Sequence, residues 1–512
     1  MKILTDDSLP PLRHTWRHCF GQGRAAELLR EDCLEHIARA HAALGFDYLR
    51  FHGLFHDELA VVTRRADGSL AFQWRMIDRI FDSLLRMGIR PFVELNPMPL
   101  ALASGEATIF RWEMNVTPPK DDAEWGQLVH AFTRHCVQRY GLPEVRRWYF
   151  EVWNEPNLPG FWSGTQDAYW ELYRHAAIAV KAVDAGLRVG GPATAQARWI
   201  PEMIAWCGEQ NVPLDFVSTH SYQQDELCFY PERKGSPHAP SDYLLDQFRR
   251  VHDEVAASAR PDLEIHWTEW NSLAAAADGK VSWTNSPSTD ALYAGSAALH
   301  QATRADALCT TQSWWIVSDV FGEHGTSPLP FSHTYGLFTT HGLPKASFHA
   351  FKWLARMTGE RLRLDTPPED PACGYLLTRE AGTVRALLWY HPPVEKAVGE
   401  WSGELAVEIK EDCLQTRAHL GSGQGSAYET WRAWACPPNL TPAQEDALRH
   451  AAEPAQSATL CPAGPTRLSF TLKPYEVLFL EWAPREAPAA NRGILPAPAP
   501  AQLESDLAAK TK

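Results

Sequence analysis

Trp148-Tyr149-Phe150-Glu151-Val152-Trp153-Asn154-Glu155-Pro156-Asn157 reads as a strand of bulky residues that halts at Asn-Glu-Pro. Proline lacks an amide N–H and biases the residue before it toward an extended shape. Asn154 and Glu155 are therefore expected at the carboxyl end of a strand, among aromatic neighbours. Partial desolvation there raises a carboxyl pKa and suits the group to give up a proton near neutral pH. A lone strand-end glutamate is more often a salt-bridged structural residue, but a second stretch answers the first. Leu263-Glu264-Ile265-His266-Trp267-Thr268-Glu269-Trp270-Asn271 is again strand-like and again ends in Glu-aromatic-Asn. Two strand-end carboxylates remote along the chain are what glycoside hydrolysis uses. One protonates the leaving oxygen, and the other attacks the anomeric carbon or activates water. Glu155 is read as the acid/base and Glu269 as the nucleophile.

Outward from these two stretches the chain alternates strand and helix. Strands are expected at 14–20, 47–51, 90–95, 148–153, 188–192, 215–220, 264–269 and 311–317. Helices are expected at 27–44, 73–87, 121–140, 166–185, 199–209, 241–257, 289–304 and 345–356, with Gly45, Gly88 and Gly141 as stops. Gly21-Gln22-Gly23-Arg24 reads as a turn after the first strand. Eight alternations predict an α/β fold, the (β/α)8 TIM barrel, whose sites lie at the carboxyl ends of the strands. Glu155 falls on the fourth strand and Glu269 on the seventh. Glu264, at the other end of the seventh, is expected to be solvated or structural.

After about Arg361 short alternating strands are expected at 373–378, 383–390, 403–409 and within 467–480. The predicted organisation is a catalytic barrel over 14–360, a C-terminal β-sandwich over 361–485 and a loosely ordered Ala/Pro-rich tail over 486–512. Residues 1–13 form an N-terminal segment.

Three motifs together carry a resemblance. Arg50-Phe51-His52-Gly53-Leu54-Phe55, Phe150-Glu151-Val152-Trp153-Asn154-Glu155-Pro156-Asn157 and Thr268-Glu269-Trp270-Asn271 resemble glycoside hydrolase family 39, the β-xylosidases and α-L-iduronidases. Asn-Glu-Pro alone marks a wider clan of retaining barrel glycosidases, and the Arg-Phe-His-Gly segment narrows it. The resemblance implies that residues 1–13 join the β-sandwich. It implies that Asn154 hydrogen-bonds the hydroxyl beside the anomeric carbon, and that Arg50 orients the nucleophile and keeps it ionised. It implies that His52 binds a sugar hydroxyl and that His220 and Tyr222 stand near Glu269. Trp315 matches the aromatic platform under the sugar, and Trp314 should point the other way. The chain departs from the family at Asp319-Val320-Phe321-Gly322-Glu323, where β-xylosidases usually carry two adjacent carboxylates and only Glu323 remains. Phe331-Ser332-His333-Thr334-Tyr335-Gly336-Leu337 also differs from the usual form. These departures bear on which sugar or linkage is accepted.

Composition fits this reading. The 512 residues are 45% hydrophobic and include 21 tryptophans, whose faces suit the apolar faces of sugars. A net charge of −14 argues against nucleic acid or an anionic membrane as partner. The 10 cysteines show no Cys-x-x-Cys and no zinc spacing, so buried free thiols and no metal are expected. No signal peptide or bilayer-length apolar run is read, which predicts a cytoplasmic protein acting on short oligosaccharides. The expected activity is an exo-acting retaining β-xylosidase needing no cofactor. The same machinery with α-L-arabinosidase or α-L-iduronidase-like specificity, endo action and an inactive sugar-binding relative remain alternatives. A homo-oligomer is left open.

Overall fold

The computed structural model describes residues 1–225, 242–272, 287–323, 325, 327, 329–393 and 397–484; the expected tail lies outside them. Eight parallel strands close into a barrel: Cys19–Arg24, Tyr48–His52, Arg90–Leu95, Tyr149–Val152, Arg188–Thr194, Phe216–His220, Glu264–Trp270 and Thr311–Trp314. Trp314 beside Phe20 completes the ring. Helices Glu31–Leu44, Arg75–Arg86, Asp122–Tyr140, Gln166–Val183, Ile200–Gln210, Tyr243–Ala256, Leu292–Arg304 and Ala346–Leu354 surround it. Asp121 and Thr165 cap two of them by accepting from Ala123 N at 2.8 Å and Ala168 N at 3.1 Å.

The first strand departs from expectation. Thr15–Arg17 is a short 3-10 turn, and the strand runs through the glycines read as a turn. Those glycines serve close approach. A Cβ on Gly21 would lie 2.3 Å from the Trp315 ring, and one on Gly23 would lie 2.3 Å from Glu27 and 2.6 Å from Phe321.

The barrel interior follows from the two-residue period of a strand. Cys19, Tyr48, Phe92, Tyr149 and Phe216 form an apolar floor. Two residues on along three of these strands come Arg50, Glu94 and Glu151, all buried. Two further on come His52 and Asn96, and on the sixth strand His220. The seventh strand breaks this parity. Its register with the sixth shifts between Thr219 and His220, so that Thr219 faces Trp267 while His220 faces Glu269. The extra residue is a bulge that turns both Thr268 and Glu269 toward the barrel interior.

Outside the barrel, seven antiparallel strands run in the order Ile3–Leu9, Glu360–Leu364, Cys373–Glu380, Thr383–Tyr390, Val477–Pro484, Cys413–Leu420, Ala455–Cys461. A second sheet pairs Trp401–Ile409 with Gly464–Leu472. The sheets share a core in which Leu388, Leu480 and Trp482 meet Leu405, Val407 and Phe470, so this is a β-sandwich. Ile3 pairs with Leu364, placing the N-terminal strand at the sheet's edge. The sequence reading merged two strands within 467–480 and passed over those at 360–364, 413–420 and 455–461. It also passed over helices Tyr428–Ala433 and Pro442–Ala451. These helices pack Tyr428, Trp431 and Leu448 against Phe331 and Leu343, in the segment after the eighth barrel strand. No helix among the described residues is long and apolar enough to cross a membrane.

Candidate active site

Arg50 is the hub. It has no exposed surface. Its Nε donates to Glu151 Oε2 at 2.5 Å, Nη1 to Glu269 Oε1 at 2.7 Å and Nη2 to Asn154 Oδ1 at 2.9 Å, and Nη2 also meets Glu94 Oε2 at 2.6 Å. Burial alone would lower its pKa, but the surrounding carboxylates of Glu151, Glu94 and Glu269 hold it above its ordinary value. A planar fork with donors on several edges suits this arrangement, and an ammonium could not copy it.

Glu269 receives Arg50 on one oxygen and the Tyr222 hydroxyl, at 2.7 Å, on the other. His52 Nε2 stands 3.7 Å away. Burial raises its pKa, while Arg50, His52 and Tyr222 pull it back.

Glu155 sits just past the fourth strand in a left-handed backbone conformation, φ 48°, its N–H donating to Ala193 O at 2.8 Å. Burial raises its pKa well above the ordinary range, and Glu269, Asp225 and Glu323 add to that shift. Arg50 pulls it back, but without the direct Arg50 and Tyr222 hydrogen bonds that Glu269 receives, so of the two carboxyls Glu155 is the better suited to hold the proton. One oxygen of Glu155, one of Glu269 and a ring nitrogen of His220 lie within 4.8 Å of one another. His220 Nδ1 is 3.1 Å from Glu155 Oε1, and its Nε2 is 3.0 Å from Thr268 Oγ1. Three such atoms have the spacing of a cation site, but Arg50, Tyr222 and Thr268 already engage Glu269 and His220. The arrangement is a hydrogen-bonded acid pair with its own buried cation.

The remaining expected residues gather at the same place. His52 Nδ1 is 2.9 Å from Glu94, and burial drives its pKa down to about 3, so the ring is neutral. Its centroid lies 4.7 Å from that of Trp315. Trp315 faces Arg50 and His52, whereas Trp314 turns outward onto Phe351 and Trp270. Glu323 lies 4.0 Å from His52 Nε2, and burial, followed by Glu269 and Glu27, raises its pKa well above normal. Glu264 is remote from this group, receiving the Tyr149 hydroxyl at 2.8 Å and lying 3.1 Å from His266 at the opposite end of the barrel.

Several partners were missed. Glu94 and Glu151 are charged residues inside apolar strands, a signal that was present and unread. Thr268 looked like any β-branched strand residue. Tyr335 packs with Tyr222, Trp315 and Phe321, close enough to Glu323, Glu269 and Glu155 for all three to raise its pKa after burial. Phe110, from a short hairpin after the third strand, stacks near His52 with centroids 6.4 Å apart. Glu27 accepts Gly322 N at 2.6 Å and Arg24 N at 3.1 Å, tying the Glu323 segment to the first strand.

Known proteins share this architecture. The sequence pattern of "Glycosyl hydrolases family 39" matches residues 1–461. A β-xylosidase from Caldicellulosiruptor saccharolyticus is 42% identical over 363 residues, 70% of this chain and 71% of that protein. A β-xylosidase from Geobacillus stearothermophilus is 34% identical over 436 residues, 82% of each. The crystal structure of the GH39 enzyme from Xanthomonas axonopodis pv. citri superposes with a TM-score of 0.83 at 29% identity, covering 94% of this chain and 97% of that one. The chain is a glycosidase acting on carbohydrate, and it belongs to glycosyl hydrolase family 39.

Proposed function

We propose that this glycosidase is an exo-acting β-xylosidase that works with net retention, Glu155 serving as acid/base and Glu269 as nucleophile. The observation that carries the reading is the approach of the two carboxyls, with oxygens within 4.8 Å. Retaining enzymes hold their carboxyls about 5–5.5 Å apart, and inverting ones leave about 6.5–9.5 Å for a water.

In the first step Glu155 gives its proton to the glycosidic oxygen while a Glu269 oxygen bonds to the anomeric carbon and the bond to the leaving group breaks. Glu269 is then a neutral ester. Its charge no longer raises the pKa of Glu155, which is thereby free to act as a base. In the second step Glu155 takes a proton from water, the water oxygen attacks the anomeric carbon, and the ester bond breaks. Arg50 stabilises the anionic Glu269 before and after. Asn154 Oδ1 accepts from Arg50, which leaves its amide N–H groups for the sugar's neighbouring hydroxyl. His52, Trp315 and Glu323 line the sugar, and Tyr222 orients Glu269.

Xylose is favoured over a uronic acid by charge. Arg50 is committed to three carboxylates and Asn154, and Arg24 beside the Glu323 segment is paired with Glu27 and Glu58. The wall of Trp315, Phe321 and Tyr335 supports release of terminal residues from short oligosaccharides. The described cysteines are all free thiols, which supports a reducing, cytoplasmic setting. The test is a panel of aryl β-xyloside, α-L-arabinoside, β-glucoside, β-galactoside and uronide substrates, with NMR of the first-formed anomer. Preference for the xyloside and release of β-xylose are expected. An α-anomer as first product, or preference for a uronide, would refute the reading.

A further inference from the structure

A continuous run of hydrogen bonds leads from Arg50 to Glu155. Arg50 Nε donates to Glu151 Oε2 at 2.5 Å, and the other oxygen of Glu151 accepts the Thr268 hydroxyl at 2.9 Å. His220 Nε2 lies 3.0 Å from that hydroxyl, and His220 Nδ1 lies 3.1 Å from Glu155 Oε1. All five side chains are buried, so each proton must be placed within the run. Arg50 cannot release its proton, which makes Glu151 an acceptor. A hydroxyl has one proton, and Thr268 gives its proton to Glu151. Thr268 must then accept from His220, which fixes the ring as the Nε2–H tautomer. A neutral imidazole bearing Nε2–H has a lone pair on Nδ1. That lone pair faces Glu155 and can only be met by a protonated carboxyl.

We infer that Thr268 is a positioning residue that sets the tautomer of His220 and thereby keeps the proton on Glu155. This rests on the reading of Glu155 as acid. The seventh-strand bulge makes the run possible, because it turns Thr268 inward together with Glu269. The opposite polarity, with Thr268 donating to His220 and Nδ1–H donating to an ionised Glu155, would leave Glu151 Oε1 without this donor. Burial, then Arg50 and His52, keep His220 neutral, so a doubly protonated ring is not the alternative.

Other groups also face Glu155. They are Glu269 from the seventh strand, Asp225 and Tyr222 from the segment after the sixth, Arg50 from the second, and Glu323 and Tyr335 after the eighth, while His52 stands by Glu269 and acts on His220. None of them bonds the Thr268 hydroxyl, whose partners are His220 and Glu151, so Thr268→Val takes the acceptor from His220 and one donor from Glu151 while the Arg50 bond to the other Glu151 oxygen stays. With no acceptor at Nε2, His220 should shift its proton to Nδ1 and donate to Glu155. A hydrogen bond to the charged form lowers a carboxyl pKa by about one to two units.

The experiment is a carbon-13 carboxyl titration of Glu155 in wild type and Thr268→Val, assigned with Glu155→Gln. It is paired with the pH profile of kcat/KM on the aryl glycoside the wild type hydrolyses best. The Glu155 pKa and the basic limb are both expected to fall by about one to two units, with Thr268→Ser restoring them. An unchanged or raised Glu155 pKa overturns the inference. A lowered pKa with an unmoved basic limb keeps the proton arrangement and removes Glu155 as the acid. Nitrogen-15 NMR of wild-type His220 checks the same point without a variant: protonation at Nε2 is expected, and protonation at Nδ1 overturns it.

Discussion

Replacing Arg50 with methionine removes the one charge that faces Glu269, Glu151 and Glu94 together. Arg50 Nη1 is 2.7 Å from Glu269 Oε1, which puts the charge centres about 4 Å apart; at an effective dielectric of about 20 the attraction is about 4 kcal/mol, or about three pKa units. The sign follows from the shifts. Burial already raises the pKa of Glu269, and Arg50 is the strongest influence pulling it back. Its removal moves the acid limb of kcat/KM upward, toward the basic limb set by Glu155. The assay is the pH profile on a dinitrophenyl glycoside, whose leaving group needs no proton and so reports the nucleophile alone. The acid limb should rise by about two to three units. Stability should fall by about 3–5 kcal/mol, because three buried carboxylates lose their cation. Arg50→Lys keeps the charge but loses the fork, and should move the limb less while still losing activity. An acid limb within about 0.3 units of wild type would mean that Arg50 does not set the ionisation of Glu269.

Glu269→Gly should abolish turnover, and azide should restore it as a glycosyl azide of inverted anomeric configuration; unaided activity would remove Glu269 as nucleophile. Glu155→Ala should keep most of kcat/KM on a dinitrophenyl glycoside, whose first step needs no proton, while losing about 10²–10⁴-fold in kcat/KM on an alkyl glycoside, and an equal loss of kcat/KM on both would contradict an acid role. Gly23→Ala would bring a Cβ within 2.3 Å of Glu27 and 2.6 Å of Phe321. It should raise KM more than it lowers kcat by disturbing the Glu323 segment, and unchanged steady-state kinetics would exclude that link. Burial pushes the His349 pKa down to about 3, against the Ala452 carbonyl, whose hydrogen bond acts to raise it. The unfolded chain therefore takes up a proton below about pH 6.5 that the folded chain refuses. This group's stabilisation is present above pH 6.5 and is lost as pH falls toward 3. His349→Gln should flatten the melting-temperature slope in that window, and an unchanged slope would show that His349 does not contribute.

The parts of this protein legible in its sequence are those dictated by short-range rules. Alternation of strand and helix gave the barrel, and Asn154-Glu155-Pro156 with Thr268-Glu269-Trp270 marked the strand ends that meet. Gly21 and Gly23 misled because a glycine that makes room for Trp315 and Glu27 looks the same as one that turns the chain. The bulge at Thr268 was invisible because it is a relation between two strands, and no single strand records it. Glu94 and Glu151 could have been found, since a carboxylate inside an apolar strand demands a buried partner and Arg50 was already in view. Tyr335 lay in a segment already marked as bearing on the sugar, but its place beside Tyr222, Trp315 and Phe321 was not legible, because that segment is braced by helices some hundred residues later in the chain.

The pairing of Lys2 with Asp365 across 363 residues has a bearing on synthesis. At about 5–20 residues per second, a ribosome takes roughly 20–70 s to deliver the second partner after the first has left it. Throughout that interval the leading strand has no edge to dock on, while the barrel's own segments emerge behind it. A nascent chain halted before residue 360 would therefore carry the eight barrel strands and, ahead of them, a β-segment without its partner strand, a natural handle for a chaperone and a liability without one.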